Sequence, residues 1–127
     1  MQSYEKAPTV STPWVKLDLE RWRIDLVGDS YPANSFEFYQ PIVQWLNEFL
    51  EHTEQPVHVE LELTYVNTGS IKSMLDLFDL LEDAFQTGRA ITVRWKYDSR
   101  NKRALETAEE FCEDVTFPFE TQDTFTP

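Results

Sequence analysis

Asn67-Thr68-Gly69-Ser70 sets two side-chain hydroxyls between an apolar run ending at Val66 and a helix-period run beginning at Ile71. A hydroxyl at a strand-to-helix handover can cap the helix, bond back to the turn, or stand free for modification. Ser70 fits an N-cap and Gly69 an ordinary turn residue. Thr68 precedes that expected cap by two positions, so capping alone does not account for it. Its hydroxyl either serves the turn backbone or is a phosphorylation site at the positive end of a helix. Lys72, one helical turn further on, fits equally a partner for such a phosphate and an ordinary solvated lysine.

Other candidate chemistry has a plainer reading. His52 and His58 are separated by a helix-to-strand break, a spacing that does not aim both at one metal. Glu60 and Glu62 share a strand face and are expected to meet solvent, while Glu109 and Glu110 are adjacent on a helix and point apart. The chain has three glycines, with neither GxGxxG nor GxxxxGK(S/T), so no phosphate-cradling loop is expected. No Ser or Cys lies in a GxSxG context, and no enzymatic activity is expected. Cys112 is the only cysteine, which excludes an intrachain disulfide, and it falls on the apolar side of an expected helix as a buried thiol. No metal or cofactor is expected.

The elements that must hold the Thr68 loop follow from periodicity. Residues 1–11 lack a pattern and read as a loose lead-in. Segments 12–18 and 21–27 alternate and suggest a hairpin with weak turn chemistry. Residues 28–35 are rich in turn formers, with Asn34 or Ser35 as N-cap of a helix from Phe36 to about Thr53. Pro41 fits only near that helix's first turn, which argues for a later start. Phe38 and Trp45 lie off its main apolar stripe, so the helix is buried on two sides or offers an aromatic patch.

Val57–Val66 alternates and then turns apolar, as a strand whose C-terminal end is central and covered. Ile71, Met74, Leu75, Phe78, Leu81 and Phe85 mark a second helix that ends at Gly88. A strand over 90–97, a helix over about 101–113 with Leu105, Ala108, Phe111 and Cys112 inward, and an edge strand over 115–120 complete the order β-β-α-β-α-β-α-β. That order predicts one α/β domain spanning 1–127, with a mainly parallel sheet, helices on one face and an N-terminal β-hairpin at an edge.

Composition narrows the partners. The 127 residues include 23 acidic and 11 basic side chains, for a formal net charge of −12. Such a surface repels phosphate backbones and anionic lipid headgroups, so no nucleic acid is expected as partner. No segment approaches the roughly 18 to 20 apolar residues a bilayer span requires, so no membrane insertion is expected and the cytoplasm is the expected location. In open α/β sheets, binding sites collect at the carboxyl ends of the strands, where Thr68 falls.

Three blocks occur together: Gly28-Asp29-Ser30-Tyr31-Pro32-Ala33-Asn34, Tyr65-Val66-Asn67-Thr68-Gly69-Ser70-Ile71-Lys72 and Trp95-Lys96-Tyr97-Asp98. With Ala108-Glu109-Glu110-Phe111 they resemble the SiaC family of bacterial regulatory phosphoproteins over nearly the whole chain past residue 11. The sequence departs from the family pattern at Ala33, where Glu is expected, and at Gly69, often Ser. The resemblance implies a STAS-like fold and phosphorylation of Thr68, which stands just before Gly69 at the strand-to-helix turn.

It further implies three partners: a serine/threonine partner-switch kinase (SiaB-like), a PP2C-type phosphatase (SiaA-like) and a GGDEF diguanylate cyclase (SiaD-like). The unphosphorylated form would activate the cyclase and so raise cyclic di-GMP, favouring aggregation and biofilm formation. Tyr31, Asn34, Asn67, Thr68, Gly69, Ser70 and Lys72 are the candidate partner-binding residues. On the residues alone, plain turn chemistry fits Tyr31 and Asn34 as well. A structural interaction module without a phosphoswitch and a small-ligand sensor using the same crevice remain alternatives.

Overall fold

Alternation at Trp14-Val15-Lys16-Leu17-Asp18 and at Arg23-Ile24-Asp25-Leu26 puts every second side chain on one side of a strand. In the computed structural model, which describes residues 1–126, Val15, Leu17, Ile24 and Leu26 are all buried in the core. The strands are β1 (Tyr4–Lys6), β2 (Trp14–Asp18), β3 (Arg23–Ser30), β4 (Val57–Val66), β5 (Ile91–Tyr97) and β6 (Phe119–Asp123). The helices are α1 (Ser35–His52), α2 (Thr68–Gln86) and α3 (Lys102–Glu113).

The six strands form one sheet in sequence order. β1–β2 and β2–β3 pair antiparallel, and the remaining three pairings are parallel, as the strand–helix alternation requires. The register sets Ile24 beside Val59 and Val59 beside Val93, and likewise Leu26 beside Leu61 and Leu61 beside Trp95. These residues line the face that the helices cover. Phe78 of α2 lies 5.0 Å from Phe111 of α3, and Phe111 lies 5.5 Å from Trp95. The expected α/β architecture, with helices on one face and an N-terminal antiparallel hairpin, is what the chain adopts.

Several local expectations are corrected. Residues 1–11 are not wholly loose, because Tyr4–Lys6 pairs with β2 and the carbonyl of Gln2 accepts a hydrogen bond from Trp45 Nε1 at 2.8 Å. The same N-terminal segment explains the off-stripe aromatics of α1: Trp45 is buried beneath it, and the Lys6 ammonium sits 5.1 Å from the Phe38 ring centre. The β2–β3 turn is built by Asp18, whose Oδ1 accepts from the N–H groups of Glu20 and Arg21.

α1 begins at Ser35 despite Pro41, which lies well inside the helix. The proline removes the N–H that the Glu37 carbonyl would accept. Both residues are exposed, so the carbonyl's lost partner lies on the solvent side of the helix.

On α2, Leu77 is buried and Leu75 is exposed, the reverse of what the apolar spacing suggested. On α3 the buried set is Ala104, Ala108 and Phe111, while Leu105 and Cys112 are only half-buried, so Cys112 is not a sealed thiol. The last strand runs over 119–123 rather than 115–120, because Pro118 cannot donate to the ladder and β6 starts after it. Glu60 is not solvated like Glu62. It is 5% exposed, and one of its carboxylate oxygens lies 3.5 Å from Arg94, 3.6 Å from Arg23 and 3.3 Å from His58.

Candidate functional site

The loop that carries Thr68 is aimed by an irregularity in the sheet. Gly28 pairs with Leu63, but the next recorded pair is Ser30 with Val66, so β4 carries one more residue than β3 over this stretch. An extra residue reverses the alternation. Val66 therefore turns inward, and Tyr65, due to face the core, turns out to 46% exposure. The end of β4 is accordingly not the covered segment expected from its apolar run. Gly28 makes the adjoining bend at φ 128°, a conformation that disfavours any side chain.

Beyond the bulge the backbone is pinned at Asn67. Its N–H donates to the Ser30 carbonyl at 2.9 Å, and its carbonyl accepts from Ile71 N at 3.0 Å. Its side-chain Oδ1 accepts from Ser70 N at 2.8 Å. Asn67 is thus the N-cap of α2, which corrects the expected role of Ser70. Thr68, Gly69 and Ser70 are the first three residues of the helix, not parts of a preceding turn.

Their side chains go different ways. Thr68 is exposed, and among the described residues its hydroxyl has no hydrogen-bond partner. Ser70 is fully buried, its Oγ 2.8 Å from Ser30 Oγ and 3.4 Å from Ser35 Oγ, and Ser30 Oγ is 2.7 Å from the Tyr39 hydroxyl. Burial pushes the Tyr39 phenol up to about 12, so it stays protonated and available as a donor. Gly69 lets the starts of α1 and α2 approach, because a Cβ there would lie 2.8 Å from Ser35 Oγ. Serine, expected at this position, would force Ser35 to move.

The electrostatics suit an added anion. The first turn of α2 carries no acidic side chain, whereas α1 has Glu37, whose N–H donates to its cap Asn34 at 3.0 Å. The positive end of the α2 macrodipole is therefore not compensated within its own first turn. Lys72 is exposed and makes no ion pair among the described residues. It lines, with Asn34, Phe36, Asn67, Gly69 and, one turn further along α2, the acidic Asp76, a cleft between the two helix starts.

Four of the sequence candidates, Asn34, Asn67, Gly69 and Lys72, thus share one cleft, with Thr68 between two of them in the chain. Tyr31 stands apart from that cleft, edge-on to Tyr65 with ring centres 5.7 Å apart. Tyr65 was not among the candidates, since simple alternation placed it inward. Neither histidine approaches a metal-binding cluster among the described residues. His52 bonds the Glu48 carbonyl, and His58 bonds Thr92 and Glu60.

The SiaC family of regulatory phosphoproteins matches residues 6–124, almost the whole chain. This chain belongs to the SiaC family. An uncharacterized protein of Pseudomonas aeruginosa strain UCBPP-PA14 is 47% identical over 114 residues, covering 90% of each chain. The crystal structure of apo-SiaC from Pseudomonas aeruginosa is similar at a TM-score of 0.93 and 44% identity, covering 96% of this chain and 99% of that one. A chain in the crystal structure of diguanylate cyclase SiaD in complex with its activator SiaC, also from Pseudomonas aeruginosa, is similar at a TM-score of 0.91. It is 45% identical and covers 94% of this chain and 98% of its own. The SiaC-family fold therefore presents Thr68 on an α2 N-terminus seated against α1, with the exposed Tyr31–Tyr65 pair at the same end of β3 and β4.

Proposed function

We propose that this SiaC-family chain is a non-enzymatic cytoplasmic regulator that works by partner switching. Its unphosphorylated form binds and activates a GGDEF diguanylate cyclase. A partner-switch kinase phosphorylates Thr68 and releases the cyclase, and a PP2C-type phosphatase reverses the modification. The output is control of cyclic di-GMP, and through it of aggregation and biofilm formation. The observation that carries this reading is the Thr68 hydroxyl, exposed and without a hydrogen-bond partner among the described residues at the first residue of α2. The relative found in complex with SiaD, described there as its activator, supports the choice of cyclase.

Energetics indicate where a phosphate would act. A phosphothreonine carries about −1.5 to −2 charge at pH 7, and at a helix N-terminus it gains about 0.3–1 kcal/mol from the macrodipole. That amount neither makes nor breaks the fold. Sealing an unpaired dianion into an interface costs several kcal/mol, and each ~1.4 kcal/mol is tenfold in affinity. The switch therefore acts on docking. Intact-mass measurement and phosphopeptide mapping after treatment with the kinase should place one phosphate on Thr68. Phosphate on another residue, or none, would overturn the assignment.

A further inference from the structure

Four hydroxyls are buried together directly beneath the Thr68 loop, at the point where β3, α1 and α2 meet. Ser30 and Ser70 are 0% exposed, Tyr39 is 1% and Ser35 is 8%. Polar groups in such a place are costly unless each is paired, and a fully paired set holds one arrangement against its alternatives. Asparagine caps hold the starts of α1 and α3, Asn34 and Asn101, and Asn101 also donates to the Thr64 carbonyl at 3.1 Å. The buried network ties the first turns of α1, through Ser35 and Tyr39, to the first turn of α2, through Ser70.

The network has a direction. Ser30 Oγ donates to Ser70 Oγ at 2.8 Å, and a hydroxyl has one proton, so the Tyr39 hydroxyl is the donor in its 2.7 Å bond to Ser30. Ser70 is then left to donate toward Ser35 at 3.4 Å. Both ends of the loop are held by the backbone of the residues that carry these hydroxyls. Ser30 accepts the N–H of Asn67 on its carbonyl, and Ser70 donates its N–H to the Asn67 side chain. Thr68 is held between those two anchors. Removing the Tyr39 donor frees the Ser30 hydroxyl to turn, and with it the bond that seats Ser70.

We infer that the Tyr39 and Ser30 hydroxyls are positioning residues for phosphoryl transfer to Thr68, an inference that rests on the phosphoswitch proposed above. Neither touches the reacting oxygen. They fix the place of the Thr68 hydroxyl, so that the kinase meets a preset acceptor instead of a wandering one. Phosphoryl transfer depends almost entirely on positioning and electrostatics, and a misplacement of about 1 Å can cost on the order of 100-fold in rate.

The test uses the full chain, its kinase and ATP, with steady-state rates of Thr68 phosphorylation. Tyr39→Phe should lower kcat at least tenfold while KM changes less than twofold, and Ser30→Ala should do the same. The double variant should be little worse than either alone, because both break one chain. Phe49→Leu, at the other end of α1, serves as a control that loses packing without touching the network. It should keep the wild-type kcat even if its melting temperature falls as far. A wild-type kcat for Tyr39→Phe, or an equal loss in Phe49→Leu, overturns the inference. Amide hydrogen exchange gives a reading that needs no kinase: Tyr39→Phe should speed exchange at residues 67–71 at least tenfold over the remainder of α2. Should the wild-type chain take no phosphate at Thr68, the functional reading fails. Unchanged exchange in Tyr39→Phe defeats the positioning claim even where phosphorylation is normal.

Discussion

Asn67 holds the N–H of Ser70 with its side-chain oxygen at 2.8 Å, and this bond decides that Thr68 begins a helix instead of preceding one. Asn67→Ala removes the cap and should cost about 1 kcal/mol of stability, within the 0.5–2 kcal/mol range for such caps. Asn67→Asp keeps an acceptor and should remain close to wild type. Urea titration of the three proteins checks both, and an equal midpoint for Asn67→Ala would remove the capping assignment.

Gly69 is closely packed against its neighbour across the helix pair. A methyl group there meets Ser35 Oγ at 2.8 Å and Ser35 Cβ at 3.2 Å. Gly69→Ala should therefore destabilise by about 1–3 kcal/mol, the usual range for overpacking. Adding Ser35→Gly should recover much of that loss, a non-additivity that thermal unfolding of the single and double variants measures.

Substitutions at Thr68 should alter binding more than folding. Thr68→Ala should bind the cyclase under conditions where the wild type has been phosphorylated and released, and Thr68→Asp should bind more weakly. Their melting temperatures should stay close to wild type, since the side chain is exposed. Equal pull-down of the cyclase by both variants in the presence of active kinase would contradict the switch. Aspartate has less charge than phosphate, so its effect should be the smaller one.

Lys72 stands one turn from Thr68 with its ammonium unpaired among the described residues. If it pairs with the phosphate, Lys72→Ala should raise the second ionisation of phosphothreonine 68, because a nearby cation favours the dianion. Phosphorus NMR titration of the phosphorylated proteins reads this directly. Identical titration curves would leave the phosphate with the helix end alone.

Acid stability should depend on Glu82. The Thr116 amide and hydroxyl donate to its carboxylate, and Gln86 donates as well, holding its pKa at about 2 against an ordinary 4.5. A carboxylate whose folded pKa is depressed contributes stability that is present above the unfolded value and lost as pH falls through the folded one. The loss should therefore run from about pH 4.5 down to about 2. Glu82→Gln should flatten the stability–pH curve across that window, as denaturation at a series of pH values would show. Because the group is half-buried at the surface and within reach of solvent ions, salt should weaken the effect.

Periodicity alone located the three helices and the four strands β2 to β5, because burying one face of a strand or helix imposes a repeat on consecutive residues, whereas β1 went unseen and β6 was placed too early. Leu17 announces a ragged β2, Ile24 and Leu26 announce β3, and Ile42, Leu46 and Phe49 announce α1, whereas Trp22, on the same alternation as Ile24, lies in the turn before β3 and is exposed. The acidic balance and the missing nucleotide and nucleophile motifs likewise needed no coordinates. Thr68 was legible as a residue that needed explaining, and the three matching blocks supplied the family.

What the chain order could not reveal is whatever depends on residues meeting across it. The extra residue in β4 turns Tyr65 outward, yet nothing in Leu63-Thr64-Tyr65-Val66 marks it, since a bulge exists only relative to the partner strand. Ser70 reads as a cap from its neighbours, but Asn67 takes that role and Ser30, forty residues away, draws the Ser70 hydroxyl inward. Glu60 reads as solvated until Arg23 and Arg94 arrive from the flanking strands. Local pattern determines which elements form, because backbone geometry is local. Which hydroxyl is sealed and which is offered to a partner depends on contacts that exist only once the elements have packed.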